Sequence, residues 1–250
     1  MSSTIVLITG ANSGVGFAAA KVIACASESF HVIMASRTLE KAKNAISEIE
    51  AAGIKGHLSP VQLDVTDENS VEQAAALVEQ KFGRLDVLVN NAAVGNRDPN
   101  VKTRFQLSMD TNVVGPAVVS AAFRPLLLKS PKPYSIYVSS GVGSLSRASD
   151  PTSSQYRSLA NGEAYRASKA ALNMIALQES IVYDSTPLKV FAMCPGFVRS
   201  NLRGHDEESR SGWGHAGDPK ISGETLLSII QGKRDADAGK FVHKDGVYPW

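Results

Sequence analysis

The stretch "TIVLITGANSGVG", Thr4 to Gly16, decides the fold of this chain. A β-branched apolar run leads into a glycine-rich turn, and a helix-like segment follows at once. Glycines permit a tight turn and a close backbone approach to a pyrophosphate, and the free N–H groups at a helix start attract an anion. The spacing, G-x-x-x-G-x-G, would also suit a purely structural turn. Its position between strand and helix favours dinucleotide binding, through Gly10, Asn12, Ser13, Gly14, Val15 and Gly16.

Short apolar runs and longer amphipathic segments alternate along the rest of the chain. The runs predict strands buried on both faces, at 4–9, 31–35, 60–65, 86–90, 134–140, 188–194 and 240–243. The segments between them predict helices at 14–26, 38–52, 67–82, 103–129, 164–184 and 222–231. The third is predicted to be capped by Thr66 or Asp67 and to end just before Gly83. The strict alternation of strands and helices implies right-handed crossover connections between parallel strands. We therefore predict a Rossmann-type α/β fold, a doubly wound parallel sheet with helices on both faces, in a single domain over 1–250.

The overall composition narrows the class of protein. A net charge of +2, with 43% hydrophobic and 20% charged residues, gives no electrostatic case for nucleic acid or an acidic membrane. Two cysteines, Cys25 and Cys194, make no disulfide framework and favour a reducing compartment. We find no membrane-length apolar run, no signal peptide and no metal-ligand spacing among the five histidines. A cytoplasmic protein without a metal site is expected.

The segment "ASRTLEKA", 35–42, follows the second predicted strand, where dinucleotide-binding proteins often carry an acidic residue that holds the ribose hydroxyls. Here Ser36 and Arg37 stand in its place. A guanidinium can pair bidentately with a 2′-phosphate, and a hydroxyl can donate to it, so we predict NADP(H) rather than NAD(H). A solvated arginine at the start of a helix is the alternative. Further along, Asp64 and Val65 fall where a strand end would meet the adenine ring, although Asp64 would equally cap the next helix.

A second pattern suggests acid–base chemistry. Tyr165 and Lys169 are four residues apart in a helical segment, so their side chains share a face. The phenol of tyrosine has a pKa near ~10, and an adjacent ammonium lowers that pKa by favouring the phenolate. A half-buried tyrosine beside a solvated lysine would look the same in sequence. Ser139 and Ser140 end a predicted strand in the same crevice, and Asn112 stands inside a predicted helix, where asparagine is unfavourable.

These residues together resemble the short-chain dehydrogenase/reductase family over nearly the whole chain. The motifs that carry the resemblance are TGANSGVG (9–16), NNAA (90–93), Asn112, Ser140, Tyr165-x-x-x-Lys169 and PGFVRS (195–200). It implies that Tyr165 is the general acid/base, that Lys169 lowers its pKa and binds the nicotinamide ribose, and that Ser140, the second serine of its pair, orients the substrate carbonyl.

The resemblance also assigns supporting roles. Asn112 would shape a local helix break that carries a proton-relay water. The remaining predicted cofactor contacts are Asn91, Ala92, Pro195, Gly196, Val198 and Ser200. Ser36 and Arg37 look like the family's NADP-preferring members, although Ser13 stands where those members commonly have a basic residue, and Ala93 replaces the family's usual glycine.

Two polar segments interrupt the alternation. The stretch about 143–164 makes the gap between Ser140 and Tyr165 longer than is usual for the family, as in its carbonyl reductases, some of which lack the usual dimer. We therefore leave the choice between a monomer and a homodimer open. The stretch about 199–220 is expected to be a substrate lid, in which Trp213 either covers the substrate or anchors the surface.

The expected function is NADPH-dependent reduction of a ketone, aldehyde or quinone carbonyl, with a small-molecule carbonyl or alcohol as substrate and neither nucleic acid nor a membrane as partner. A pathway-specific ketoreductase or alcohol dehydrogenase of specialised metabolism is the narrower alternative. A non-catalytic NADPH-binding regulator is the alternative from another class, and an intact catalytic set argues against it.

Overall fold

The computed structural model describes residues 3–95, 98–154 and 162–250, which form one α/β domain around an eight-stranded sheet. The strand order is β3-β2-β1-β4-β5-β6-β7-β8, parallel except for the antiparallel pair β7–β8. The strands are β1 (Thr4–Thr9), β2 (Phe30–Ser36), β3 (His57–Gln62), β4 (Val87–Asn90), β5 (Tyr134–Val138), β6 (Lys189–Met193), β7 (Phe241–His243) and β8 (Gly246–Tyr248). The order reverses between β1 and β4, which places a ligand crevice at the carboxyl ends of these strands.

Strand β1 shows why the apolar runs are nearly continuous. Ile5 and Leu7 belong to the core on one face of the sheet, and Val6 and Ile8 belong to the core on the other face. Successive side chains of a strand point to opposite faces, so a strand covered on both sides needs apolar residues at every position. The prediction of a Rossmann-type sheet covered on both faces is confirmed.

Nine α-helices occur in the described part of the chain: α1 (Gly14–Ala26), α2 (Leu39–Ala51), α3 (Glu68–Phe82), α4 (Val101–Met109), α5 (Gly115–Leu127), α6 (Leu145–Ser149), α7 (Glu163–Val182), α8 (Glu207–Arg210) and α9 (Lys220–Ile230). Buried residues of α3, α5 and α7 complete the core on the Leu7 face. Those of α1, α2 and α9 complete the core on the Val6 face. None of these helices is long and apolar enough to cross a membrane.

Most elements agree with the sequence prediction to within two residues, and three features differ by more. Strand β3 covers 57–62 instead of 60–65, because its register pairs His31 with His57 and its edge position tolerates Pro60, which has no N–H to donate. The predicted helix 103–129 is not one α-helix: a π-helical turn, Asp110–Val114, separates α4 from α5. This turn contains Asn112, where the resemblance implied a local helix break. Strand β8, a three-residue hairpin partner of β7, has too short a pattern to be predicted.

The start and end of α3 follow the predicted signals. The carboxylate of Asp67, rather than Thr66, caps the helix by accepting from the backbone N–H groups of Asn69 and Ser70. Gly83 ends it with φ 71°, a left-handed conformation that favours glycine. Asp64 caps the preceding turn, since its Oδ1 accepts from the backbone N (3.0 Å) and the hydroxyl (2.7 Å) of Thr66.

Candidate active site

A cleft of about 800 Å³ runs along the carboxyl ends of the central strands. It begins at the turn between β1 and α1 and ends at Tyr165 and Lys169 on α7. Most of the predicted cofactor contacts line it, namely Gly10, Asn12, Ser13, Gly14, Val15, Arg37, Asp64, Val65, Asn91, Ala92, Tyr165, Lys169, Pro195 and Ser200. A single surface therefore carries the glycine-rich turn and the proposed acid–base pair.

The glycine-rich turn is built so that side chains would not fit. Gly10 and Gly14 have φ values of 63° and 57°, which disfavour other residues. A Cβ at Gly16 would lie 2.5 Å from Nδ2 of Asn91. Ser13, the N-cap of α1, makes no capping bond with its side chain to any described residue, so the first N–H groups of α1 are available to an anion. These features fit a pyrophosphate group.

The segment after β4 holds this turn in place. The hydroxyl of Thr9 accepts from the backbone N–H groups of Asn91 (2.9 Å) and Ala92 (3.0 Å). The side-chain amide of Asn91 donates to the carbonyls of Thr9 (2.8 Å) and Gly10 (3.3 Å). Asn91 thus fixes the backbone of the turn in addition to lining the cleft.

The end of the cleft beside α2 carries exposed positive charge. Arg37 lies just before α2, and Lys41 lies in the first turn of α2. Both side chains are exposed and line the cleft beside Asp64. Sequence reasoning missed Lys41, although its position four residues after Arg37 on a helix was a usable signal. The expectation for Ser36 was wrong: it is 3% exposed and its hydroxyl donates to Oδ1 of Asn12 (3.2 Å), so it supports the turn instead of facing a phosphate.

Lys169 is buried at the opposite end. Its side chain is 2% exposed, and Nζ donates to the carbonyl of Val138 (2.9 Å) at the end of β5. Burial lowers the pKa of its ammonium to about 8. Nζ lies 5.7 Å from the centre of the Tyr165 ring. One hydrogen bond to Val138 leaves two of the three ammonium donors for other partners in the cleft.

The pKa of Tyr165 moves in the opposite direction to the sequence expectation. Burial raises the pKa of the phenol above its ordinary value, and the nearby thiol of Cys194 adds to this increase. The hydroxyl of Ser140, through a hydrogen bond, and the charge of Arg203 both lower it. Lys169 does not offset this rise, because its own pKa of about 8 leaves it neutral at the high pH where the phenol would ionise. The phenol therefore stays protonated at neutral pH.

The two serines after β5 have different surroundings. Ser139 is 1% exposed, and its hydroxyl donates within the protein to the carbonyl of Lys169 (3.3 Å) and to Oδ1 of Asn173 (2.5 Å). Ser140 is half-buried, starts a 3₁₀ turn by accepting from the N–H of Val142, and hydrogen-bonds the phenol of Tyr165. Ser139 belongs to the cleft lining and Ser140 does not, but of the two hydroxyls it is that of Ser140 that interacts with the phenol of Tyr165. We therefore keep Ser140 as the residue expected to meet a substrate oxygen.

Asn112 lies in the π-helical turn and is fully buried. Its amide accepts from the N–H of Val94 (2.8 Å) and donates to the carbonyl of the same residue (2.9 Å) and to the hydroxyl of Ser168 (3.0 Å). Ser168 in turn donates to the carbonyl of Tyr165 (2.8 Å). Asn112 therefore ties the segment after β4 to the first turn of α7, at a π-turn of the kind found at functional sites.

The turn after β6 forms the last wall. Gly196 has φ 83°, Val198 is buried and pairs with Gly217, and Ser200 packs against Gly14. Pro195 is held by the hydroxyl of Ser222, which donates to its carbonyl (2.7 Å). Pro195 and Ser200 line the cleft, whereas Gly196 and Val198 shape the turn between them.

The expected lid segment lies across this wall. The guanidinium of Arg203 donates to the carbonyls of Val198 (2.9 Å), Ser209 (3.0 Å) and Arg210 (3.0 Å), which closes the segment on itself. Leu202, Arg203 and His205 line the cleft, and sequence reasoning missed them. Trp213 is 47% exposed and lies apart from the cleft lining. Of the other polar segment, residues 155–161 lie outside the described part of the chain.

Metal chemistry was not expected from the sequence. Within residues 3–95, 98–154 and 162–250, no group of three or more His, Cys, Asp or Glu side chains is placed to hold an ion.

Comparison with known proteins gives a consistent set of similarities. A family model described as short chain dehydrogenase matches residues 4–211. The short-chain dehydrogenase anuI of Penicillium roqueforti is 36% identical over 82% of each chain. The short-chain dehydrogenase/reductase eupG of Phoma sp is 32% identical over 98% of this chain and 97% of its own. Among solved structures, the NADPH-bound carbonyl reductase from chicken fatty liver is 26% identical, with a TM-score of 0.79 and coverage of 100% of both chains.

Proposed function

The chain belongs to the short-chain dehydrogenase/reductase family, whose members are oxidoreductases, and from that premise we propose that it reduces ketone, aldehyde or quinone carbonyls with NADPH. The observation that carries the proposal is the single cleft that joins the glycine-rich turn and two exposed cations to Tyr165 and Lys169. Ser140 enters the proposal through its interaction with the phenol of Tyr165. The NADPH-bound carbonyl reductase that shares the fold supports the choice of cofactor.

The residues of the cleft fit NADPH from one end to the other. The N–H groups at the start of α1 would hold the pyrophosphate, and Arg37 with Lys41 would hold the 2′-phosphate. Pro195 and Ser200 would hold the nicotinamide end, with Lys169 donating to its ribose. When bound, NADPH supplies the hydride that reduces the carbonyl carbon.

Tyr165 supplies the proton. Its raised pKa keeps the phenol protonated at neutral pH, so the O–H can donate to the carbonyl oxygen as the carbon accepts the hydride. Ser140, which already hydrogen-bonds this phenol, would donate to the same oxygen and stabilise its developing charge. The product is an alcohol, and Lys169 stabilises the phenolate that Tyr165 becomes.

The experiment that tests the proposal follows NADPH oxidation at 340 nm with the purified chain and a panel of quinones, α-diketones, aryl ketones and aldehydes. Substrate-dependent oxidation is expected for at least one carbonyl class. Tight NADPH binding without turnover of any substrate in the panel would contradict a broad carbonyl reductase and would favour either a pathway-specific ketoreductase or the non-catalytic regulator.

A further inference from the structure

Gly141, the residue directly after Ser140, is enclosed by the side chains of Arg147, Cys194 and Tyr248. Its backbone N–H donates to the sulfur of Cys194 (3.1 Å), which follows β6. A Cβ at this glycine would collide with the guanidinium of Arg147 and would lie 3.3 Å from the ring of Tyr248. Gly141 is buried, and its backbone thus has almost no freedom to move.

Arg147 and Tyr248 form a cation–π pair. The Arg147 Cζ lies 4.0 Å from the centre of the Tyr248 ring, and the ring of His243 stacks on the same tyrosine at 4.0 Å. Arg147 and Tyr248 are both half-buried, a setting in which such pairs are more stabilising than at an exposed surface. Neither residue lines the cleft.

Further bonds hold these two residues together. The hydroxyl of Ser144 donates to the carbonyl of Pro249 (2.6 Å), and Ser146 donates to the carbonyl of Trp250 through its N–H (2.9 Å) and its hydroxyl (2.6 Å). The ring of Trp250 stacks on Phe241 of β7, with 5.8 Å between ring centres. Strand β8 and the two residues after it are therefore fastened to α6, which begins five residues after Ser140.

We propose that Arg147 and Tyr248 are positioning residues, which clamp Gly141 against Cys194 and thereby hold the hydroxyl of Ser140 towards Tyr165. The inference rests on the proposed function, because there Ser140 and Tyr165 act on the carbonyl oxygen. A shift of Gly141 would move the Ser140 hydroxyl, because Gly141 is the next residue in the chain. Gly141 is also the first residue of the 3₁₀ turn that Ser140 caps. Small displacements of a group that orients a substrate reduce turnover strongly.

The test compares Tyr248→Ala, which removes the ring, with Tyr248→Phe, which retains it. Val247→Ala, an exposed position on the same short strand, is the matched control. Each variant is assayed for kcat, KM and NADPH affinity. We expect Tyr248→Ala to lose about 10- to 100-fold in kcat while its NADPH affinity stays unchanged, and Tyr248→Phe to behave like wild type.

Equal losses in Tyr248→Ala and Tyr248→Phe, or unchanged turnover in Tyr248→Ala, would overturn the proposal. A parallel loss of turnover and NADPH affinity would indicate general loosening and would also overturn it. If Tyr248→Ala does not fold, Arg147→Met, which removes the charge but keeps much of the volume, is judged by the same criteria.

A second measurement does not depend on turnover. The alkylation rate of Cys194 by iodoacetamide is followed by peptide mass spectrometry, with Cys25 as the internal reference. Releasing Gly141 uncovers the Cys194 thiol, so the rate at Cys194 should rise about tenfold in Tyr248→Ala and stay constant in Tyr248→Phe. If wild type turns over no substrate, the proposed function fails while this measurement still decides the clamp: an unchanged rate at Cys194 in Tyr248→Ala would overturn it.

Discussion

The two ends of the cleft present positive charge in opposite settings. At the adenosine end, Arg37 and Lys41 are exposed and solvated. At the catalytic end, Lys169 is 2% exposed and burial lowers its pKa to about 8. An exposed cation recognises a phosphate with little desolvation cost, whereas a buried one responds to pH and to small changes in geometry. On this account, cofactor selection depends on one end of the cleft and proton transfer depends on the other.

The largest effect is expected at the catalytic end. Tyr165→Phe should reduce turnover by about 100- to 10,000-fold, because the ring remains but the proton donor is lost. NADPH affinity, measured by fluorescence titration, should stay near that of wild type. Tyr183→Phe, at the other end of α7, is the control. Turnover that survives in Tyr165→Phe would assign the proton to another group.

The adenosine end is tested by Arg37→Asp. Loss of a charge-assisted hydrogen bond, worth about 1.5–3 kcal/mol, should weaken NADPH binding by about 10- to 100-fold. NADH affinity and kcat should change little, because the substitution lies far from the acid–base pair. Lys41→Ala should give a smaller loss of the same kind, and Lys43→Ala, exposed on the same helix but outside the cleft lining, should give none. If Arg37→Asp weakened the binding of NADPH and NADH equally, Arg37 would not be the residue that recognises the 2′-phosphate.

The neighbouring serines sharpen the comparison within the catalytic end. Ser140→Ala should lower kcat by about 100-fold, as expected for the loss of one donor to a developing oxyanion. Ser139→Ala should instead destabilise the fold by about 1–3 kcal/mol, because the buried side-chain oxygen of Asn173 loses the Ser139 hydroxyl as its donor. Thermal unfolding and kinetics on both variants check the assignment. The reverse pattern would make Ser139 the catalytic serine.

The smallest effect is the pH dependence. The folded pKa of Lys169, about 8, lies below its ordinary 10.5, so its ammonium is lost as pH rises through 8 and kcat/KM for reduction should fall there. The raised pKa of Tyr165 keeps the phenol out of this range. Between pH 8 and pH 10.5, Lys169 is protonated in the unfolded chain but neutral in the folded one. The free energy of unfolding therefore rises with pH over this interval, while activity falls. A kcat/KM profile that is flat to pH 10 would contradict the buried ammonium.

The sequence predicted the alternation of strands and helices because hydrophobic patterns reflect how each whole element is buried. The apolar run at β1 and the caps of α3 were sufficient for their elements. The register of β3 against β2 depends on pairing across the sheet, and the π-turn at Asn112 depends on bonds to Val94 and Ser168. Neither is encoded in a local pattern.

The candidate site divides in the same way. Residue types and spacing pointed to Tyr165, Lys169 and Arg37, the resemblance to the family decided between the alternatives, and the structure brings the three residues to one cleft. The donation of the Ser36 hydroxyl to Asn12, and the direction of the Tyr165 pKa, depend on which atoms become buried together. Arg203 reaches the cleft because its segment folds back on itself, a long-range arrangement with no sequence signature.

The most direct test of the account is the ratio of kcat/KM with NADPH to kcat/KM with NADH, measured at 340 nm on the wild-type chain with one carbonyl substrate. An exposed Arg37–Lys41 pair in the same cleft as an intact acid–base set predicts a ratio of about 10 or more. A ratio at or below about 1 would contradict the assignment of these two cations to the 2′-phosphate.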